Sequence, residues 1–348
     1  MWRCGEQDIR LGLGIWGKYP YDQLINLARL AELANYDVLW CANEKFYRDM
    51  WVTLGVLAAH TERALLGTFI AEPYTCHPAM IAEAIASLDE ASNGRAVLLL
   101  GAGAVGFRQM GMERMKPLTA LREAIVIIKS LLAGDRITFH GETVEANDLK
   151  LDFSPRPDIP VWVASRGNRI LEMAGHEADG VMIATYASPK GIDYALKRVA
   201  DGAQAANRWL KDIPITVRVD VALHSDPKIA RAAVKPMIAG MIKASAPNRD
   251  FITQAGVTIE DELYNEIVRA EFGKMDGVLE RLPEACVDAF SWAGTPAQVA
   301  EKVAAVIDMG LTQITFLPHE TKDTTAEQIV KQFADRVMPE VAALMRGD

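Results

Sequence analysis

Ala64-Leu65-Leu66-Gly67-Thr68-Phe69-Ile70 is a short, β-rich apolar run, and after a loop it gives way to Pro78-Ala79-Met80-Ile81-Ala82-Glu83-Ala84-Ile85-Ala86-Ser87-Leu88-Asp89-Glu90-Ala91. In the second stretch Ile81, Ile85 and Leu88 stand at i, i+4 and i+7, the spacing of one helix face. Together the two stretches predict a strand, a loop and a helix. The same unit recurs on both sides. Upstream, Ile9 to Ile15 precedes Tyr21 to Ala34, with helical spacing at Leu24, Leu27, Leu30 and Leu33, and Asp37 to Cys41 precedes a helix around Trp51 to Ala59. Downstream, Ala96 to Leu100 leads through a long loop to Leu121, Ile125, Ile128 and Leu132. Pro160 to Ala164 and Gly180 to Ala184 flank a helix around Ile170 to Gly175. Ile215 to Val221 is the seventh run, and Thr312 to Leu317, preceded by the helical Pro296 to Ile307, is the eighth.

Eight strands alternating with helices predict an α/β fold, a (β/α)8 TIM barrel. Residues 134–151 read as a small hairpin with His140-Gly141-Glu142 at its turn. Residues from about 226 to 289 read as a helical insertion before the last strand. No Pro/Gly/Ser linker divides the chain, so residues 1–348 are expected to form a single domain.

Composition narrows the function. Of the 348 residues, 50% are hydrophobic and 24% charged, enough apolar material for a large core, which excludes a disordered or collagen-like chain. Lys plus Arg number 37 against 46 Asp plus Glu, a net charge of -9, which argues against binding to the phosphates of nucleic acid. No run approaches the roughly 18 apolar residues of a membrane span. Met1 to Glu6 lacks the apolar stretch of a signal peptide. Cys4, Cys41, Cys76 and Cys286 are scattered singly, a pattern of reduced thiols that points to the cytoplasm.

Candidate chemistry gathers where predicted strands end. Gly101-Ala102-Gly103-Ala104-Val105-Gly106 matches GxGxxG after a strand, but Gly111 and Pro117 interrupt the helix that a dinucleotide-binding turn would need, so that reading is set aside. Two readings remain: glycines that let the backbone approach a flat cofactor, or an ordinary loop. Ala164-Ser165-Arg166-Gly167-Asn168 closes the fifth strand and opens a helix, whose free N–H groups suit a phosphate with help from Arg166 and Ser165. A plain helix cap is the alternative; the strand-end position favours phosphate. Asn43-Glu44 follows the second strand and Glu72 the third. A carboxylate among Phe69, Ile70 and Tyr74 suits a proton donor, whereas Glu44 has the simpler alternative of pairing with Lys45 or Arg48. The six histidines show no HxxxH or HxH spacing, so no metal site is expected.

Several runs carry a family resemblance: Thr61 to Thr68, Pro73-Tyr74-Thr75-Cys76-His77-Pro78-Ala79 and Leu88-Asp89-Glu90-Ala91-Ser92-Asn93-Gly94-Arg95. They are joined by Lys116-Pro117, Ala178-Asp179-Gly180-Val181 and Gly294-Thr295-Pro296. In order and over nearly the full length, the chain resembles the bacterial-luciferase-like superfamily. Within it, the chain is most similar to methylenetetrahydromethanopterin reductase and other coenzyme F420-dependent oxidoreductases. The resemblance implies a deazaflavin or flavin across the carboxyl ends of the strands, held by Asn43, Phe69, Ile70, Gly101, Ala102, Gly103 and the segment Ala164 to Asn168. It also implies a non-prolyl cis bond at Phe69-Ile70. Two departures stand out: Asn43-Glu44 replaces the Asp-His of many relatives, and Ala104 stands where some sugar-phosphate dehydrogenases of the group carry Glu.

The expectation is an F420-dependent reductase or dehydrogenase acting on a small molecule, with Glu44 or Glu72 as the proton-exchanging group. An FMN-dependent monooxygenase is the alternative, and a non-catalytic flavin-binding protein the second. The resemblance and the apolar helices after the second and third strands imply a homodimer.

Overall fold

A computed structural model describes residues 2–4, 6–103, 106–271 and 274–346. Eight strands run parallel: β1 (Gln7–Ile15), β2 (Val38–Ala42), β3 (Leu65–Phe69), β4 (Ala96–Leu100), β5 (Val161–Ser165), β6 (Gly180–Ala184), β7 (Ile215–Leu223) and β8 (Gln313–Pro318). Between them lie α1 (Tyr21–Leu33), α2 (Met50–Ala58), α3 (Pro78–Ala91), α4 (Pro117–Leu132), α5 (Asn168–Glu177) and α6 (Pro189–Ala205). Strand order is β1-β8-β7-β6-β5-β4-β3-β2, with β1 also pairing with β2, so this is the (β/α)8 barrel expected from the sequence. Two compact units emerge from the contacts: Gly12–Met182 with Arg198–Pro214, and Met1–Leu11 with Ile183–Lys197 and Ile215–Asp348.

In the unit built on Gly12–Met182, α3 forms as its sequence dictates. The His77 ring accepts from Ala79 N at its start, and Pro78 occupies the first turn, where its missing N–H costs nothing. Asn93 and Gly94, both with positive φ, end it. Ile81, Ile85 and Leu88 are buried, each contributing about 1.5–3 kcal/mol. Arg95 then turns back, donating to the carbonyls of Ala58, Thr61, Ala64 and Ser92 and to Thr61 Oγ1. One guanidinium thus ties the end of α2 to the start of β3. Trp40 and Trp162 pack with Val97, Leu99 and Met182, their ring centroids 5.8 Å apart. Helices α5 and α6 approach so closely that a Cβ on Gly175 would overlap Val199 O, and one on Gly202 would overlap Glu172 O.

Three details depart from the sequence reading. In α1, Leu24 and Leu27 are buried but Leu33 is 83% exposed. Steps of three residues lag 60° each behind the helix, so by Leu33 the row has passed to the opposite side. Trp2–Cys4 adds an antiparallel strand on β1. Helices form at Pro227–Ser245, Asp250–Gln254, Asp261–Arg269, Asp276–Arg281 and Glu284–Phe290, as expected, but Ser291–Gly294 pairs in parallel with β7, a short strand directly behind the last of these helices. The hairpin lies at Ile137–His140 and Glu145–Leu149.

Candidate active site

Four loops of the Gly12–Met182 unit bring sequence-selected residues together. Asn43 leaves β2 with its N–H on Phe69 O, at 2.7 Å, and its side-chain amide donates to Ile70 O at 3.0 Å. The Phe69–Ile70 bond is cis. Pairing resumes at once, with Ala71 N on Leu99 O and Gly101 N on Ala71 O. Ile70 Cδ1 lies 2.5 Å from where a Gly101 Cβ would stand, and Ala164 O lies 3.4 Å from it, so Ile70, Gly101 and Ala164 meet. Gly103, at φ +68°, makes room for the Phe107 ring. These glycines therefore accommodate the protein's own side chains beneath the strand ends. Ala102 is half-buried beside them, and Ala104 and Val105 lie outside the described residues.

Glu72 is 2% exposed, yet its surroundings are not the apolar ones expected. Lys45 Nζ sits 2.8 Å from Oε1, Thr75 Oγ1 donates to the same oxygen, and the N–H groups of Tyr74 and Thr75 reach Oε2 at 2.8 and 3.0 Å. Four donors surround the carboxylate, as a buried charge requires. Lys45 also reaches Asn43 Oδ1 at 3.5 Å and packs over the Phe107 ring. Burial pushes the Tyr74 phenol up to about 12, with its hydroxyl donating to Met115 O. Glu44 is partly exposed next to this network; its expected partner Lys45 turns to Glu72, while Arg48 donates to the carbonyls of Gly17 and Lys18.

At the end of β5, Gly167 caps α5 without a side chain, and its N–H is held by Ser165 Oγ at 3.0 Å. A Cβ at Gly167 would meet only that hydroxyl, at 3.8 Å, leaving the approach to the helix N-terminus open. Arg166 is half-buried; Asn168 is exposed and takes Arg169 N on its Oδ1.

The sequence reading missed Lys45, which it weighed only as a partner of Glu44. It also missed polar residues in the other unit. Thr216, Arg218 and Asp220 alternate along β7, all buried, and His319 just after β8 bonds to Asp220. Their signal was the period of two in Ile215-Thr216-Val217-Arg218-Val219-Asp220-Val221.

Fold and site place the chain among (β/α)8 barrels that carry their polar groups where strands end and loops begin. Within that class it belongs to the luciferase-like monooxygenase family, which matches residues 6–313. A 5,10-methylenetetrahydromethanopterin reductase of Methanolobus tindarius is 32% identical over 298 residues, 85% of this chain and 90% of that protein. An F420-dependent glucose-6-phosphate dehydrogenase of Beutenbergia cavernae is 27% identical, covering 84% and 83%. The structure of the coenzyme F420-dependent tetrahydromethanopterin reductase of Methanopyrus kandleri superposes with a TM-score of 0.84 at 23% identity, covering 96% of this chain and 99% of that one.

Proposed function

We propose that the protein is an oxidoreductase that moves a hydride between coenzyme F420 and a small organic substrate. The observation that carries this is the N-terminus of α5, where Gly167 leaves the space of a side chain unfilled beside the polar groups of Ser165 and Asn168, in the same unit as the Ile70, Gly101 and Ala164 junction. The helix N-terminus fits a phosphate, and the junction fits the face of a flat ring. In this reading Ser165, Arg166, Gly167 and Asn168 hold the phosphate, while Asn43, Phe69, Ile70, Gly101, Ala102, Gly103 and Ala164 flank the ring. The cofactor supplies a carbon that accepts or releases hydride. Glu72 positions Lys45 and the loop after β3, and Glu44 exchanges the proton required on the cofactor's side. The names of the two curated relatives support a reductase or dehydrogenase. The four free cysteines support a cytoplasmic protein.

Titrating the purified protein with F420 and with FMN, following fluorescence, tests the assignment. Saturable F420 binding with FMN much weaker is expected. FMN binding alone would convert the reading to an FMN-dependent monooxygenase.

A further inference from the structure

Two cations converge on Phe107. The buried ring has Lys45 Nζ and the Arg114 guanidinium each 5.8 Å from its centroid, and Tyr74 meets it edge-on at 5.7 Å. What balances the two charges differs. Lys45 has Glu72 at 2.8 Å, whereas among the described residues no carboxylate pairs with Arg114, which is exposed. Glu72 approaches the same loop, its Cγ 3.5 Å from where a Gly103 Cβ would stand. Both of its oxygens, however, are taken by Lys45, Tyr74 and Thr75. Arg114 is nonetheless held in place: Nη1 donates to Gly103 O, and the guanidinium lies over the Phe107 ring. Met115, next along the chain, accepts the Tyr74 hydroxyl on its carbonyl at 3.2 Å. A guanidinium has five N–H donors, and with one spent on Gly103 the others can meet two oxygens of an anion. All of these residues belong to the Gly12–Met182 unit. Gly103 is two residues from Gly101, a span of at most about 7 Å, so Arg114 is tied to the segment that flanks the proposed ring position.

We propose that Arg114 anchors the substrate through an anionic group, a carboxylate or a phosphate. That this anion belongs to the substrate rests on the hydride-transfer reading above, in which α5 already takes the cofactor's phosphate. Arg114 sets specificity and moves no proton, because a guanidinium stays charged throughout the working pH range. Its contribution is attraction and two-point hydrogen bonding to a planar or tetrahedral oxyanion. In a chain of net charge -9 an arriving anion is generally repelled, and an uncompensated cation at the strand ends gives it one place to dock. Because Gly103 and Phe107 fix the guanidinium before the ligand arrives, less freedom is lost on binding. The substrate class is thus an organic acid or a phosphate ester.

The test uses the full chain with F420, two anionic probes (glucose 6-phosphate and 5,10-methylenetetrahydromethanopterin) and one neutral probe, 2-propanol. On an anionic probe, Arg114→Met is expected to raise KM about tenfold, with kcat within about threefold and F420 affinity within about twofold of wild type. Arg114→Lys, which keeps the charge, should recover part of the loss. Raising NaCl from about 0.05 M to about 0.5 M should raise the wild-type KM and leave that of Arg114→Met nearly flat. A KM within about twofold of wild type in Arg114→Met overturns the assignment. So does a fall in F420 affinity in its place, which would give the arginine to the cofactor, and so does turnover of 2-propanol alone. Independently of turnover, the Arg114 Nε signal in 15N spectra, identified by its loss in Arg114→Met, should move on titration with acetate or inorganic phosphate. The other exposed arginines should stay in place, and the anion that acts at lower concentration separates carboxylate from phosphate. No movement, or equal movement of every exposed arginine, overturns the anion site. A wild type that binds no F420 overturns the hydride reading; in that case, or if no probe turns over, the spectra alone decide whether Arg114 takes an anion.

Discussion

Lys45 Nζ and Glu72 Oε1 are 2.8 Å apart, with Glu72 buried and Lys45 only 12% exposed, so each charge depends on the other. Glu72→Gln leaves an ammonium without its counter-charge, and loss of about 3 kcal/mol in urea unfolding is expected. Replacing both residues with methionine should recover much of that loss. A Glu72→Gln variant as stable as wild type would mean the pair is not buried in solution.

Glu44, by contrast, is partly exposed. Glu44→Gln should leave the urea midpoint and F420 affinity unchanged while turnover falls about 100-fold. Full turnover would remove Glu44 from the chemistry.

Gly167 tests the phosphate end. Gly167→Asp sets a negative charge at the N-terminus of α5, and F420 binding should weaken on the order of tenfold. Gly167→Ala is the control: φ is -88° and the Cβ position is open, so affinity should hold. Equal titration curves for Asp and wild type would place the phosphate elsewhere.

Helix α2 turns Val52, 57% exposed, and Gly55 outward, and Met80 of α3 is 50% exposed. An apolar outer face on a barrel helix suits a second copy of the chain. Sedimentation should show a dimer that Val52→Lys dissociates. A wild-type monomer at micromolar concentration refutes the dimer.

Asp288 sits between Arg231, at 2.8 Å, and Lys302, at 2.9 Å, whose bonds bring its carboxyl down to about 2. A depressed carboxyl contributes stability above its unfolded value, near 4, and loses it as pH falls through the folded value. Thermal midpoints of the wild type should therefore fall more steeply than those of Asp288→Asn between about pH 4 and pH 2. Parallel curves would show that the contacts carry no net linkage.

The barrel was legible because its signal is local: apolar runs of strand length alternate with helical spacing, as from Ala64 to Ala91. Leu33 was misleading because a row of leucines three apart imitates a face while rotating off it. Ser291–Gly294 is too short to show a period. Glu72 was found by its place after a strand, but the donors around it come from Lys45 and Thr75, whose approach only the folded loops produce. The charged pair on β7 was the opposite case. Its alternation was visible, but a strand of Ile and Val reads as apolar, which concealed Arg218 and Asp220.

The backbone contacts of α5 with α6 lie four residues from Asn168, where Gly202 meets Glu172, and seven residues from it at Gly175, about 6 and 10 Å along the helix. Because the two helices touch main chain to main chain there, α5 is seated with no side chain between it and α6 to yield or repack. Its N–H groups are aimed when the chain folds, so a ligand arriving later need not restrict them. Substitution should accordingly be tolerated at Gly167 more readily than at these two glycines, where a single methyl group would meet the main chain of the neighbouring helix and displace α5 along its length.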